Sequence, residues 1–313
     1  MTFPEPYRAR PARRGDLDAL VDLCGARDLA DVGFVDPSRE EILEDWASPF
    51  LDLERDTIVA ETSGGALAAY GFVLVQDAAT QVRAVGRVHP AHAGRGLGTA
   101  LLAELERRAT RRVAPGGSSP LRIDVPESDE AASGLLRRRG YRQARSSWLM
   151  QRTLPADDLE RPEPGGISFR TATLDDEPAV HALLEESFQE HFGYETTSFE
   201  DWRRWIRDSP GYDPALAVLA LAGDRPAGVS VNFAADDGIG WIGDLGVAPR
   251  YRRRGIASAL LVRSFAALAA TGHHEARLGV DAQNATGATR LYEAAGMTVR
   301  RRFDLYEKPL TGA

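Results

Sequence analysis

Between Trp241 and Val247 the chain is apolar or small apart from Asp244, a pattern that suits a central strand, and Pro249 ends it because proline gives no N–H to a ladder. A basic glycine turn follows, and Ser258-Ala259-Leu260-Leu261-Val262 then presents the apolar face of a helix. Further on, Leu278 to Asp281 reads as another strand, followed by a helix that starts near Asn284, carries Tyr292 and ends at Gly296.

The same order occurs earlier in the chain. Tyr7 to Ala12 and Ile167 to Ala172 are predicted opening strands, matched at Arg10 and Arg170, and each leads into a helix, through Leu17, Leu20 and Leu23 or through Val180, Leu183 and Leu184. Ser38 and Ser198 each precede acids in the pattern of a helix cap. Thr57 to Ala60, the turn at Ser63-Gly64-Gly65 and Leu67 to Val75 are echoed by Ala217 to Leu221, the turn at Gly223 and Gly228 to Phe233. Val88, Pro90, Gly96 and Leu101 align with Val247, Pro249, Gly255 and Leu260 at one constant offset. A repeat of this length is a duplicated domain and not a solenoid. The expected division is a first domain at 1–154, a linker at 155–166 rich in Pro and Gly, and a second domain at 167–313. Ala114 to Pro120 is expected to be a mobile loop.

With 313 residues the chain has room for two domains with sizeable cores, and its net charge of −8 argues against general nucleic-acid binding. Clusters of arginine are therefore read as local anion sites. The single cysteine, Cys24, stands among apolar residues and excludes a disulfide within the chain. Neither a signal peptide nor a run long enough to span a membrane is seen, so the expected compartment is the cytoplasm. His273 and His274 lack partners at ligand spacing, and no metal is expected.

The chemistry concentrates at Arg252-Arg253-Arg254-Gly255-Ile256-Ala257. A helix start offers unpaired N–H groups and partial positive charge, glycine permits close approach, and the arginines add fixed charge, so a pyrophosphate is the expected anion. Together with Asn284 and the spacing Leu-Tyr292-x-x-x-Gly296, this turn resembles the acetyl-CoA-binding half of the GNAT acetyltransferases. The resemblance implies an α/β (α+β) fold of two tandem GNAT domains, each a mixed, mostly antiparallel sheet flanked by helices. It further implies acetyl-CoA as cosubstrate, backbone N–H groups at Leu245 and Val247 facing the thioester, Asn284 beside it, and Tyr292 as the acid that protonates the leaving thiolate.

The two copies are unequal. The first keeps Arg95, Gly96 and Gly98 in its turn but has Ala93 for Arg252, Leu136 for Tyr292 and Ser128 for Asn284. Catalysis is therefore assigned to the second copy, and the first is read as degenerate. The base that takes the amine proton is less evident. Asp244 is the leading candidate, with Asp281 and the loop residue His191 behind it. Strand alternation sets Asp244 opposite Trp241 in facing unless a bulge intervenes. The duplication also resembles mycothiol synthase, but that family's strand glutamate is replaced here by Trp241, and the glutamate of the ribosomal-protein N-terminal acetyltransferases by Gly279. The expected reaction is direct acetyl transfer to a small-molecule primary amine. The alternatives are an aminosugar conjugate as acceptor or an acyl-CoA-binding scaffold, and a monomer is preferred to an oligomer.

Overall fold

The computed structural model describes residues 3–35, 39–77, 81–114, 116–156, 158–160, 162–191, 194, 196–234, 238–284 and 287–312. In chain order, the first elements are β1 (Arg8–Arg10), α1 (Leu17–Val32), α2 (Arg39–Ala47), α3 (Leu53–Asp56), β2 (Thr57–Glu61), β3 (Leu67–Asp77), β4 (Gln81–Val88), α4 (Leu97–Thr110), β5 (Ser118–Pro126), α5 (Glu130–Arg138) and β6 (Arg142–Thr153). There follow β7 (Ser168–Thr171), α6 (Glu177–Phe188), α7 (Phe199–Asp208), β8 (Val218–Ala222), β9 (Arg225–Ala234), β10 (Ile239–Val247), α8 (Ile256–Ala270), β11 (Glu275–Asp281), α9 (Ala288–Ala294) and β12 (Thr298–Thr311).

Contacts divide the chain into two units, the first made of 1–146 and 302–313 and the second of 147–301. Each unit thus takes its last strand from the other half of the sequence. In the first unit, Phe303 to Thr311 of β12 run antiparallel along β5 from Pro126 to Ser118. In the second, Ser147 to Thr153 of β6 run antiparallel along β11. The linear division at 154 and 167 accordingly differs from the contact-defined units. Both closing segments are alternating strands that follow a helix–glycine turn, so the periodicity alone does not say which sheet each joins. Ser118 to Pro120, expected in a loop, belong to β5 because β12 supplies them with partners.

Within each unit one parallel pair, β4 with β5 or β10 with β11, interrupts an otherwise antiparallel sheet, and helices cover both faces. Alternation along β9 shows the layering. Val229 and Val231 pack with Leu183, Leu184, Trp202 and Ile206 of α6 and α7. Ser230 and Asn232 face α8 instead, where Ser264 Oγ lies 2.8 Å from Ser230 Oγ and Asn232 Nδ2 donates to Leu216 O at 2.7 Å. Burial therefore leaves these polar groups paired, as it must to be tolerated. Leu260, Leu261, Phe265 and Leu268 of α8 are fully buried, and burial of such side chains is worth roughly 1.5–3 kcal/mol each.

The openings of the two copies are alike in detail. Arg10 Nη1 donates to Asp16 at 2.7 Å, and Arg170 Nη1 donates to Asp176 at 2.7 Å. Ser198 caps α7, accepting from Asp201 N at 3.2 Å, whereas the expected Ser38 cap lies outside the described residues. Cys24 is buried with Leu20, Leu23 and Ile42, in keeping with a core position.

The exchange of closing strands makes a test. Met150 of β6 and Tyr306 of β12 are 0% and 1% exposed, so replacing either by alanine should cost about 2–5 kcal/mol. Hydrogen exchange should then show lost protection in β11 for Met150→Ala and in β5 for Tyr306→Ala. The reverse pattern would contradict the exchange.

Candidate active site

The central strand of the second unit contains one more residue than its neighbour can match. Ile242 pairs with Asn232 and Asp244 pairs with Val231, which leaves Gly243 unpaired as a bulge. A phenylalanine ring accounts for the glycine, since a Cβ at 243 would stand 2.4 Å from Phe233 Cε2. The consequence is a change of facing. Trp241 opposes Phe233 and Asp244 opposes Val231, two residues apart on β9, so Trp241 and Asp244 share the face toward α6 and α7. Without the bulge they would lie on opposite faces.

Beyond that point the sheet opens. The parallel pairing of β10 with β11 covers Ile239 to Trp241 and stops, although both strands continue. Ala248 N donates to Ala227 O at 3.0 Å on the β9 side. Alternation along an antiparallel strand then turns the N–H groups of Leu245 and Val247 away from β9, toward the opening. Gly246 keeps this part of β10 close to α6, because a Cβ there would meet Ser187 Oγ at 2.4 Å.

Asp244 and Tyr292 come to this opening from opposite layers. Tyr292, on α9, is 8% exposed and packs with Ile242, Phe265 and Leu278. Burial, followed by the charge of Asp244, pushes its phenol up to about 12. Asp244 is partly buried, and loss of solvent raises its carboxyl to about 6. The phenol is thus a proton holder across the neutral range, while the carboxyl is an acceptor above about pH 6. His191 also lies at this end, its ring centroid 4.5 Å from that of Phe188. Burial and Arg252 lower its pKa, with partial opposition from Asp281 and Glu190, so it is neutral at pH 7.

Asn284 occupies the turn after β11, where its N–H donates to Asp281 O at 3.0 Å. The helix expected to start near Asn284 begins instead at Ala288, after Gly287 in the left-handed region. Its end is as expected, with Gly296 at φ 73 and Met297 N bonded to Tyr292 O. In the first unit Asp129 N makes the corresponding bond to Pro126 O, so Asp129, and not Ser128, stands opposite Asn284.

At the basic turn Arg253 (φ 64) and Gly255 (φ 78) are both left-handed, and α8 starts at Ile256 with no side chain capping it. Gly94 (φ 74) and Gly96 (φ 81) repeat the conformation before α4. Glycine adopts it freely, but an arginine gives up about 1–2 kcal/mol, the kind of strain that persists at functional turns. Arg253 and Arg254 are exposed and Ala257 lies in the first turn of α8, so the uncapped helix start and these cations fit a diphosphate. Arg252 has a different role. Its guanidinium donates to Ser187 O at 3.0 Å, Val247 O at 3.3 Å and Glu190 at 2.9 Å, which fastens α6 to the end of β10. Arg254 donates to Gly165 O at 2.9 Å, and Arg95 to Tyr7 Oη at 3.4 Å, so each turn is braced by the segment that precedes its first strand. Gly98 lies against α5, a Cβ there being 3.5 Å from Leu135.

The first unit has the same opening without the same groups. Pairing of β4 with β5 covers only Val82 and Arg83, and β4 has no bulge at this point. Val85 and Arg87 stand where the second unit has Asp244 and Gly246, and Leu136, 3% exposed, stands for Tyr292. The loss of the tyrosine is legible in the sequence, whereas the bulge stands there only as a condition and the positions of Val85 and Arg87 are not marked. The glycine-rich run Gly240-x-x-Gly243-x-x-Gly246 was the available signal. Among the described residues no group of His, Cys, Asp and Glu could hold a metal ion, and no helix is long and apolar enough to cross a membrane.

The model of the acetyltransferase (GNAT) family matches residues 25–141 and again 178–297. A mycothiol acetyltransferase of Salinispora arenicola is 32% identical over 311 residues, covering 95% of this chain and 96% of the relative. A solved GCN5-related N-acetyltransferase from Sphaerobacter thermophilus is 34% identical, with a TM-score of 0.88 over 100% of this chain and 98% of that one. A tandem GNAT protein from the clavulanic acid biosynthesis pathway shares the fold at 17% identity, with a TM-score of 0.75 over 98% and 99% of the two chains.

The buried carboxyl gives a stability prediction. Its folded pKa of about 6 lies above the ordinary 3.8, so the native state binds the proton better and loses stability as pH rises from about 4 to 6. Asp244→Asn should remove that loss. Relative to wild type, the variant should gain about 1–3 kcal/mol between pH 3 and pH 8 in urea unfolding. A difference that stays constant with pH would contradict the raised pKa.

Proposed function

The chain belongs to the acetyltransferase (GNAT) family, whose members use acetyl-CoA as cosubstrate, and we propose that it acetylates a small-molecule primary amine with the chemistry in unit 147–301. The observation that carries this reading is the meeting of Asp244 and Tyr292 at the opening between β10 and β11, against Val85 and Leu136 in the other unit. Acetyl-CoA supplies an activated acyl group when bound. Arg253, Arg254 and the backbone of Gly255, Ile256 and Ala257 would hold its diphosphate, with Arg252 keeping the turn and α6 in register. The N–H groups of Leu245 and Val247 would hold the acyl oxygen as it gains negative charge. Asn284, in the turn after β11, would stand beside the thioester.

Direct transfer needs an unprotonated amine and a proton for the departing sulfur. An alkylammonium has a pKa of about 10, so it must lose a proton before its nitrogen can bond to the acyl carbon. Asp244 takes that proton, directly or through water. As the carbon–sulfur bond breaks, the phenol of Tyr292 gives its proton to the thiolate. Burial keeps that phenol protonated at neutral pH. Entry of the acceptor from the α6 and α7 side, past Trp241 and His191, is consistent with the facing of Asp244.

An aminosugar conjugate as acceptor is a second reading, favoured by the full-length likeness to a protein named mycothiol acetyltransferase. Trp241 in place of that family's strand glutamate weighs against carrying the acceptor over unchanged. A monomer remains our preference for the assembly.

Two outcomes test the assignment, with thiol release measured across a panel of amines that includes aminosugars. Tyr292→Phe should lower kcat by about ten to a thousand-fold with little change in acetyl-CoA affinity. In the wild type, kcat/KM should fall as pH drops through about 6, because the Asp244 carboxyl then holds its proton. Asp244→Asn should remove that limb along with most of the rate. Unchanged turnover in Tyr292→Phe, or an acid limb that survives in Asp244→Asn, would contradict the assigned roles.

A further inference from the structure

Away from the opening, the first unit has a basic depression of about 320 Å³ at the C-terminal end of α4, lined by Arg55, Arg107, Arg108, Arg111 and Arg112 with Glu54 and Asp56. Its ion pairs are uneven. Asp56, 1% exposed, accepts from Arg55 at 2.8 Å and from Arg112 at 2.9 Å. Glu104 accepts from Arg107 at 2.7 Å and from Arg108 at 2.9 Å. Arg111 is exposed and has no ion pair among the described residues. Five guanidinium groups thus face four carboxylates, Asp52, Glu54, Asp56 and Glu104, and one positive charge is left in excess on a chain whose net charge is −8.

Basic residues in the last turn of a helix also complement its dipole, so the cluster alone has an ordinary structural explanation. The duplicated fold removes that explanation. At the alignment that sets Gly96 on Gly255, the positions of Arg107, Arg108, Arg111 and Arg112 hold Ala266, Ala267, Ala270 and Thr271 in the second unit. Arg10 pairs with Val59 and its counterpart Arg170 with Leu219, which sets Arg55 and Asp56 on Ala215 and Leu216. The same helix in the same fold therefore ends without one of these charges. Arg107 and Arg111 are therefore not required by the duplicated architecture, whereas Asp56, accepting from Asp52 N at 2.9 Å, and Arg108, donating to Arg55 O, also hold α3 in place.

We propose that this depression is a binding site for a phosphate dianion presented by a small molecule. The exposed guanidinium of Arg111 supplies the attracting charge, the planar donor forks of arginine suit phosphate oxygens, and an open-sided depression of this volume admits a small ligand. Arg111 and Arg107, at successive turns on the exposed edge of α4, make the first contacts, and Arg55 and Arg112 share their donors between Asp56 and the ligand. The site is separate from the diphosphate turn at the other end of α4, and it does not depend on the proposed acetyl transfer.

The test is calorimetric titration of the full chain at low ionic strength with inorganic phosphate and, separately, with glycerol 3-phosphate. A saturable component is expected that is weakened about tenfold or more in Arg107→Ala/Arg111→Ala and retained when both glycine turns are blocked in Gly96→Glu/Gly255→Glu. Tighter binding of the ester would identify an organic phosphate as the occupant, and equal binding would identify free phosphate. Arg111→Ala alone, at an exposed unpaired position, should keep the wild-type melting temperature and still weaken binding, so misfolding cannot imitate the result. Absence of saturable binding, or binding that survives the arginine substitutions and is lost at the glycine turns, would overturn the proposal.

Discussion

The single unpaired residue in β10 is the constraint from which the site follows. A strand alternates its side chains with a period of two, so one inserted residue reverses the facing of everything beyond it. Gly243 can be that residue because it has no Cβ to strike Phe233. Its insertion turns Asp244 to the same face as Trp241, while the pairing with β11 ends at that point. Two groups from opposite helical layers can then approach each other through the sheet. The second glycine, Gly246, lets α6 sit against the strand and gives Arg252 its place between Ser187 O and Val247 O.

The duplication supplies its own control for each of these statements. The first unit folds with the same sheet order and the same left-handed turn, yet β4 is regular where β10 is bulged. With Val85, Arg87 and Leu136 at the corresponding places, its opening offers neither the carboxyl nor the phenol. Fold and chemistry are therefore separable in this chain. The turn shows the same division. Gly94 takes the left-handed conformation without cost, and Arg253 takes it against its preference, which adds a cation to the one turn that stands beside Tyr292's unit. The arginine depression reverses the bias, being built in the first unit and absent from the second.

Much of this was legible in the sequence. The order of strands and helices, the two glycine turns, Tyr292 four residues before Gly296 and its replacement by Leu136 all follow from spacing and from residues with narrow conformational roles. The features that were not legible depend on partners distant in the chain. A bulge is a relation between two strands, so the facing of Asp244 could be stated only conditionally from β10 alone. The exchange of β6 and β12 leaves no local mark, because both segments alternate in the same way after the same helix and glycine. The place of Arg252 in the turn points to a diphosphate contact, but its guanidinium donates to the nearby carbonyls of Val247 and Ser187. The late start of α9 at Ala288 reflects the left-handed Gly287, whose position the apolar period of the helix does not reveal.

The central claim is that acetyl transfer belongs to the unit formed by 147–301. Turnover of acetyl-CoA with an accepted amine, compared between Gly96→Glu and Gly255→Glu, tests it most directly, since each substitution sets bulk and negative charge at one turn alone. Turnover should persist in Gly96→Glu and be abolished in Gly255→Glu. Persistence in Gly255→Glu with loss in Gly96→Glu would contradict it.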